Sequence, residues 1–98
     1  MREVISSRVF GVTIKGKKND IIAPYADMLN HKRPRQTHWN FDDACNSFVI
    51  KGSANVKKGE EVFDSYGIKC NSRFLLNYGF TVENNEDNEF KIILILNE

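Results

Sequence analysis

The chain has 98 residues, of which 41% are hydrophobic and 28% charged, a composition typical of a globular domain and unlike a disordered chain. A domain of this size buries only a small core, so we expect the chain to be part of a longer protein. Fourteen Lys and Arg residues against thirteen Asp and Glu residues give a net charge of +1. This balance argues against a general electrostatic attraction to nucleic acid or to an anionic membrane.

The sequence carries no sign of a membrane span, a secretion signal or a metal centre. The longest apolar run, residues 92–96, is far shorter than the ~20 residues that a spanning helix needs, and the N-terminus lacks a signal-peptide stretch. Cys45 and Cys70 form no CxxC pair, and the spacing of His31 and His38 suits no common zinc site. We therefore expect an intracellular protein, in the nucleus or the cytoplasm, with reduced thiols and no metal.

The first third of the chain combines a short helix with a hairpin. Apolar residues at positions 4, 5, 9 and 10 predict a helix that ends at Gly11. The polar segment 15–20 predicts the turn of a hairpin between strands 12–14 and 21–23. Residues 25–31 are then expected to form a short helical turn or a tight loop.

The rest of the chain continues the pattern of short strands. Strands are predicted at residues 38–41, 47–51 and 61–63. Asn71 is a candidate cap for a helix that ends at Gly79, and the apolar residues 90–96 predict a strand that needs a partner sheet. The fold class predicted from this pattern is α+β and β-rich, with two short helices.

Two stretches carry side chains suited to a ligand site. Asn30 and His31 place an amide and an imidazole at the end of a partly buried turn, where both groups need partners. In residues 59–67, GEEVFDSYG, a strand runs into Tyr66, and the absent side chain of Gly67 leaves room beside the ring. From composition alone, packing is the commoner role for such a tyrosine.

The ordered series of motifs closely resembles the C-terminal half of a SET domain. The motifs are SRVF at residues 7–10, PYADMLNH at 24–31, GEEVF and SYG within 59–67, NS at 71–72 and LLNYGF at 75–80. Within that superfamily they are similar to the branch that contains the Rubisco large-subunit methyltransferase and the actin-histidine methyltransferase. The resemblance implies pseudoknot-type threading, with residues 1–89 as the C-terminal part of an incomplete SET domain. Residues 90–98 would be a strand that leads toward a missing substrate-binding domain.

The resemblance also implies a cofactor, a reaction and the residues that serve them. SET proteins transfer a methyl group from S-adenosylmethionine to a protein side chain, usually lysine. By this resemblance, Asn30 and His31 bind the cofactor, Arg8 lies near its carboxylate, and Tyr66 is the catalytic tyrosine. Since the glycine-rich segment that opens a SET domain is not among these residues, we expect the 98-residue chain alone to be inactive.

Three aromatic residues match positions that wall the channel for the target side chain, namely Tyr78, Phe80 and Trp39, with core packing as the alternative for each. The expected partner is a protein substrate, with no direct contact to nucleic acid or membrane, and the sequence does not predict the oligomeric state. Two other functions stay open. The parent protein could methylate histidine, as in the same branch, or it could be an inactive SET remnant that only binds protein.

Overall fold

The computed structural model describes residues 2–96, and its elements are short. In chain order they are α1 (Arg2–Ser6), β1 (Val9–Ile14), β2 (Lys17–Ile22), a 3-10 turn (Ala26–Met28), β3 (Asn30–His31), β4 (Thr37–Asp42), β5 (Ser47–Gly52), β6 (Phe63–Asp64) and α2 (Asn71–Tyr78). The chain divides into two compact units, Met1–Tyr66 and Gly67–Glu98. The predicted β-rich class with few helices is confirmed.

The first helix is shorter than predicted. Helix α1 ends at Ser6, and Val9 and Phe10 belong to strand β1. The prediction of a helix that continues to Gly11 is therefore wrong. Four apolar positions within seven residues fit more than one period, and the β-branched and aromatic side chains at positions 9 and 10 favour the strand.

Strands β1 and β2 form the predicted hairpin, paired antiparallel. Lys15 and Gly16 connect the strands, with φ angles of 47° and 78°. Two central residues with positive φ make a turn whose twist matches that of the paired strands. The predicted turn over residues 15–20 is too long, because β2 begins at Lys17 and its polar side chains are exposed strand residues.

The hydrophobic core of the first unit lies between this hairpin and a second one. Strands β4 and β5 pair antiparallel, as predicted for residues 38–41 and 47–51. Phe10, Val12 and Ala23 are buried, and Trp39 and Phe48 pack against them. The β1 side chains alternate between buried and accessible positions, which is the pattern of a strand with one face on a core.

Strands β3 and β6 form a parallel pair that positions the candidate site. Asn30 lies opposite Phe63, and His31 lies opposite Asp64. Thr37 donates a hydrogen bond to the Asp64 carboxylate over 3.0 Å, and both residues are 3% exposed. A buried, satisfied polar pair stabilises one arrangement of the strands, since breaking it leaves an unpaired group. The strand predicted at 61–63 is thus real but begins at Phe63.

Helix α2 organises the second unit. Gly79 ends it at φ 80°, and its N–H donates to the carbonyls of Phe74 and Leu75, so the predicted stop is confirmed. The predicted cap is wrong, because Cys70 is the N-cap residue and Asn71 is the first helical residue. The Asn71 amide instead exchanges two hydrogen bonds of 2.9 Å with the backbone of Val82.

The apolar segment near the end of the second unit belongs to no sheet within the described residues. Within the described residues, positions 90–96 form no strand, and their apolar side chains are 72–95% exposed. The predicted strand is therefore wrong for these residues, because a strand needs a neighbour to take up its backbone hydrogen bonds. Positions 97 and 98 of that prediction lie outside the described residues. No helix within residues 2–96 is long and apolar enough to cross a membrane.

Candidate active site

The parallel pair of β3 and β6 brings His31 next to Tyr66, which are 35 positions apart in the sequence. The Tyr66 backbone N–H donates to His31 Nδ1 over 2.9 Å, and the two rings lie 5.3 Å apart at 36°. A ring nitrogen that accepts a hydrogen bond carries no proton, so the proton of the neutral imidazole sits on Nε2. The two sequence motifs therefore meet in one place.

The Tyr66 hydroxyl makes a second link between the motifs. It donates to the backbone carbonyl of Leu29 over 2.6 Å, in a partly buried position. Leu29 directly precedes Asn30, so the phenol is tied to the turn that presents the amide. This hydrogen bond fixes the direction of the phenolic O–H.

Asn30 is oriented by a carboxylate. Its Nδ2 donates to Oε1 of Glu61 over 2.6 Å, a short charge-assisted hydrogen bond. Both side chains are exposed and therefore accessible to a ligand. Glu61 was not among the predicted site residues. The available signal was its place in the GEEVF motif, two residues before the strand position that pairs with Asn30.

Arg8 lies at the turn that precedes Asn30. Its Nη1 donates to the Asp27 carbonyl over 3.0 Å and lies 3.7 Å from Oδ2 of the same residue. The Arg8 side chain is 46% exposed, so part of it is open to solvent. The structure thus brings Arg8 to the segment of the predicted site.

Trp39 is partly buried and packs against the hydrophobic core. Its ring meets Phe10 edge to face, with centroids 5.2 Å apart, and lies 6.2 Å from Phe48. Its Nε1 is buried without a hydrogen-bond partner among the described residues. This packing favours the structural alternative for Trp39 over a place in a substrate channel.

In the second unit, Tyr78 and Phe80 belong to an aromatic cluster around Phe74. Phe80 stacks on Phe74 at 5.3 Å, and Tyr78 lies 6.2 Å from both rings. Phe74 is 2% exposed, whereas Tyr78 and Phe80 are half-buried. The two predicted channel residues are thus neighbours with surface left to contact another group.

A lysine amine already lies over the Tyr78 ring. Lys69 Nζ is 5.9 Å from the ring centroid, within the range of a cation–π contact. Burial lowers the pKa of this amine, and the positive charge of Arg73 lowers it further. A side chain at Gly67 would reach to 3.0 Å from the same nitrogen, so the glycine leaves room for the amine.

The second unit also contains a thiol with an altered pKa. Cys70 Sγ lies 3.0 Å from the Ser72 hydroxyl, and this hydrogen bond lowers the pKa of the thiol. A hydrogen bond from the Arg73 backbone acts in the same direction.

Within residues 2–96, no group of three His, Cys, Asp or Glu side chains could hold a metal ion.

Comparison with curated protein sequences finds relatives that are named as SET-domain proteins or as protein methyltransferases. Human SET domain-containing protein 4 is 39% identical over 64 residues, which cover 65% of this chain and 14% of the relative. The ribosomal lysine N-methyltransferase set10 of Schizosaccharomyces pombe is 35% identical over 86 residues, 84% of this chain and 16% of the relative. By sequence, this chain belongs to the SET-domain methyltransferase family. No protein-family model matches it.

A third relative comes from the branch of the family that the motifs predict. The actin-histidine N-methyltransferase of Danio rerio is 33% identical over 75 residues, 74% of this chain and 12% of the relative. The family predicted from the motifs is therefore confirmed. This chain spans about one sixth or less of the length of these relatives.

Proposed function

We propose that this chain is the C-terminal part of the SET domain of an S-adenosylmethionine-dependent protein-lysine N-methyltransferase. The observation that carries the proposal is the contact between the two motifs, in which His31 Nδ1 accepts the Tyr66 N–H and Leu29 accepts the Tyr66 hydroxyl. The parallel pairing of β3 with β6, from distant parts of the chain, is consistent with pseudoknot-type threading. Residues 1–89 would form this part of the domain, inside the cell.

The donors and acceptors of the first unit fit the cofactor. When bound, S-adenosylmethionine supplies a methyl group on a sulfonium, and its amino-acid end carries an ammonium and a carboxylate. Asn30 offers an exposed amide whose orientation is set by Glu61. Arg8 offers a partly exposed guanidinium, the natural partner of a carboxylate. Asn30, His31 and Arg8 would hold the cofactor.

Tyr66 would act by alignment and by the dipole of its hydroxyl. Methyl transfer is a displacement in which the positive charge on sulfur is lost, so the site chiefly needs fixed geometry and a preorganised polar group. The Leu29 carbonyl holds the phenol in one orientation before any ligand binds. The target lysine must lose its proton, and loss of water together with a nearby positive charge favours the neutral amine. No general base is required.

Lysine is favoured over histidine as the target by the environment of Tyr78. Tyr78 and Phe80 are half-buried rings whose apolar faces can pack along the aliphatic stem of a lysine side chain. Tyr78 and Phe80 would form the aromatic wall of the channel. One relative is named as a lysine methyltransferase and another as a histidine methyltransferase, so the products must be distinguished directly.

The test is methyl transfer by the longest gene product that contains this chain. The protein is incubated with S-adenosylmethionine labelled in the methyl group and with an extract of cells that lack the gene, and labelled proteins are hydrolysed. We expect methyl-lysine in the wild-type reaction and much less label with Asn30→Ala. Methyl-histidine would replace the lysine proposal by the histidine one. Cofactor binding without any transfer would identify an inactive binding module.

A further inference from the structure

The loop between β3 and β4 carries a concentration of positive charge that the proposed chemistry does not use. Lys32, Arg33 and Arg35 are all exposed. The loop is held at both ends against β6, because the Lys32 N–H donates to the Asp64 carbonyl over 2.9 Å and the Gln36 amide oxygen accepts from the Phe63 N–H over 3.2 Å. These hydrogen bonds hold the loop beside the strand that leads to Tyr66.

Two of the cations lie along that strand. Lys32 Nζ is 5.0 Å from the centre of the Phe63 ring. Arg35 donates one hydrogen bond to the Ser65 carbonyl over 3.5 Å and another to His38 Nδ1 over 3.4 Å. None of these partners carries a formal negative charge in these contacts, so the contacts orient the two cations without neutralising them.

The acidic group on the same strand is already engaged. The Asp64 carboxylate is 3% exposed and accepts the Thr37 hydroxyl, so it offers little surface to a partner. Glu61 is exposed and keeps its negative charge, because its hydrogen-bond partner is the neutral Asn30 amide. At the Tyr66 end of β6 the contacting charge is positive, since Arg35 donates to the carbonyl of Ser65, the residue before Tyr66.

We propose that Lys32 and Arg35 form a docking surface for an acidic segment of the protein substrate, close in sequence to the residue that is methylated. The inference rests on the proposed function and names the kind of substrate sequence that the site selects. Carboxylates are the complementary partners, and the fork of Arg35 suits them. The loop has no aromatic side chain on which a nucleic-acid base could stack, which favours a peptide over RNA.

The test compares two labelled peptides of equal length, each with a central lysine flanked by glutamate or by glutamine, binding to the longest gene product that contains this chain. Fluorescence anisotropy should give a lower dissociation constant for the glutamate peptide than for the glutamine peptide. The difference between the two constants should shrink as the salt concentration rises. The double variant Lys32→Gln/Arg35→Gln should weaken binding of the glutamate peptide by about fivefold, because each exposed ion pair contributes only a little to affinity. The glutamine peptide should bind the variant and the wild type alike.

The matched control is Lys17→Gln/Lys18→Gln, which removes two exposed charges from β2 and should leave both affinities unchanged. Equal binding of the two peptides by the wild type, or an equal loss in the control, would overturn the docking surface. So would a single-stranded RNA that binds more tightly than the glutamate peptide and depends on Lys32 and Arg35. Methyl transfer without an acidic preference refutes this inference alone, whereas an acidic preference without any methyl transfer refutes the proposed function.

Discussion

Replacing Tyr66 by Phe removes one oxygen and keeps the ring. The lost hydroxyl makes a 2.6 Å hydrogen bond to the Leu29 carbonyl in a partly buried position. A hydrogen bond of this kind contributes about 0.5–1.5 kcal/mol to the free energy of unfolding, so we expect the melting temperature of a domain of this size to fall by about 2–12 °C. The protein stays folded at assay temperature. Under the proposed function its methyl-transfer rate should fall much further, by about 10²–10³, because that proposal places the lost hydroxyl dipole next to the reacting atoms.

The assay is single-turnover methyl transfer by the longest gene product, with calorimetric cofactor binding on the same preparation. Tyr25→Phe is the matched control, because it deletes the same oxygen from a tyrosine that is 90% exposed. The control should keep its rate and its melting temperature. An unchanged transfer rate in Tyr66→Phe with a lowered melting temperature would make Tyr66 a structural residue that only ties the turn to β6.

Three further changes test separate parts of the structure. Glu61→Ala removes the carboxylate that orients Asn30 and should weaken cofactor binding by about 2- to 10-fold in calorimetry, whereas unchanged affinity would show that the amide needs no such support. Ser72→Ala, combined with Cys45→Ser so that Cys70 is the one thiol left in this sequence, should move the appearance of the Cys70 thiolate at 240 nm to higher pH, because the hydrogen bond that lowers the thiol pKa is gone. An unmoved titration would contradict that cause. Gly79→Ala should lower the unfolding free energy by about 1 kcal/mol in a denaturant melt, because the φ of 80° strains a residue with a Cβ, and a fully stable variant would refute the αL stop.

Features with a local signal were predictable from the sequence. The turn residues between β4 and β5 and the glycine after α2 act on their immediate neighbours, so the hairpin and the helix end follow from short stretches. The helix predicted through Phe10 failed because a few apolar residues fit both a helix and a strand, and the core selects the strand. The prediction of a strand at residues 90–96 was wrong because a high strand propensity does not by itself provide a neighbouring strand to pair with.

In the candidate site, too, some features were predictable from the sequence and others were not. The motifs made Asn30, His31 and Tyr66 candidates because the family resemblance fixes their order along the chain, and their place in a cofactor site stays a prediction. The Glu61 contact to Asn30 could not be read from spacing, since the two residues are 31 positions apart and only the β3–β6 pairing brings them together. Trp39 illustrates the opposite case, because a tryptophan on a predicted strand has the same sequence pattern whether it faces a core or a channel.

The measurement that tests the central claim most directly is hydrogen–deuterium exchange of the longest gene product with and without S-adenosylmethionine. We predict that the cofactor protects the backbone amides of residues 29–32 and 63–66, where β3 and β6 pair, and leaves the β4–β5 turn at residues 43–46 unchanged. Asn30→Ala should reduce the protection at both segments together, because they form one site. Protection confined to other segments, with residues 29–32 and 63–66 unaffected at saturating cofactor, would contradict the assignment of the site.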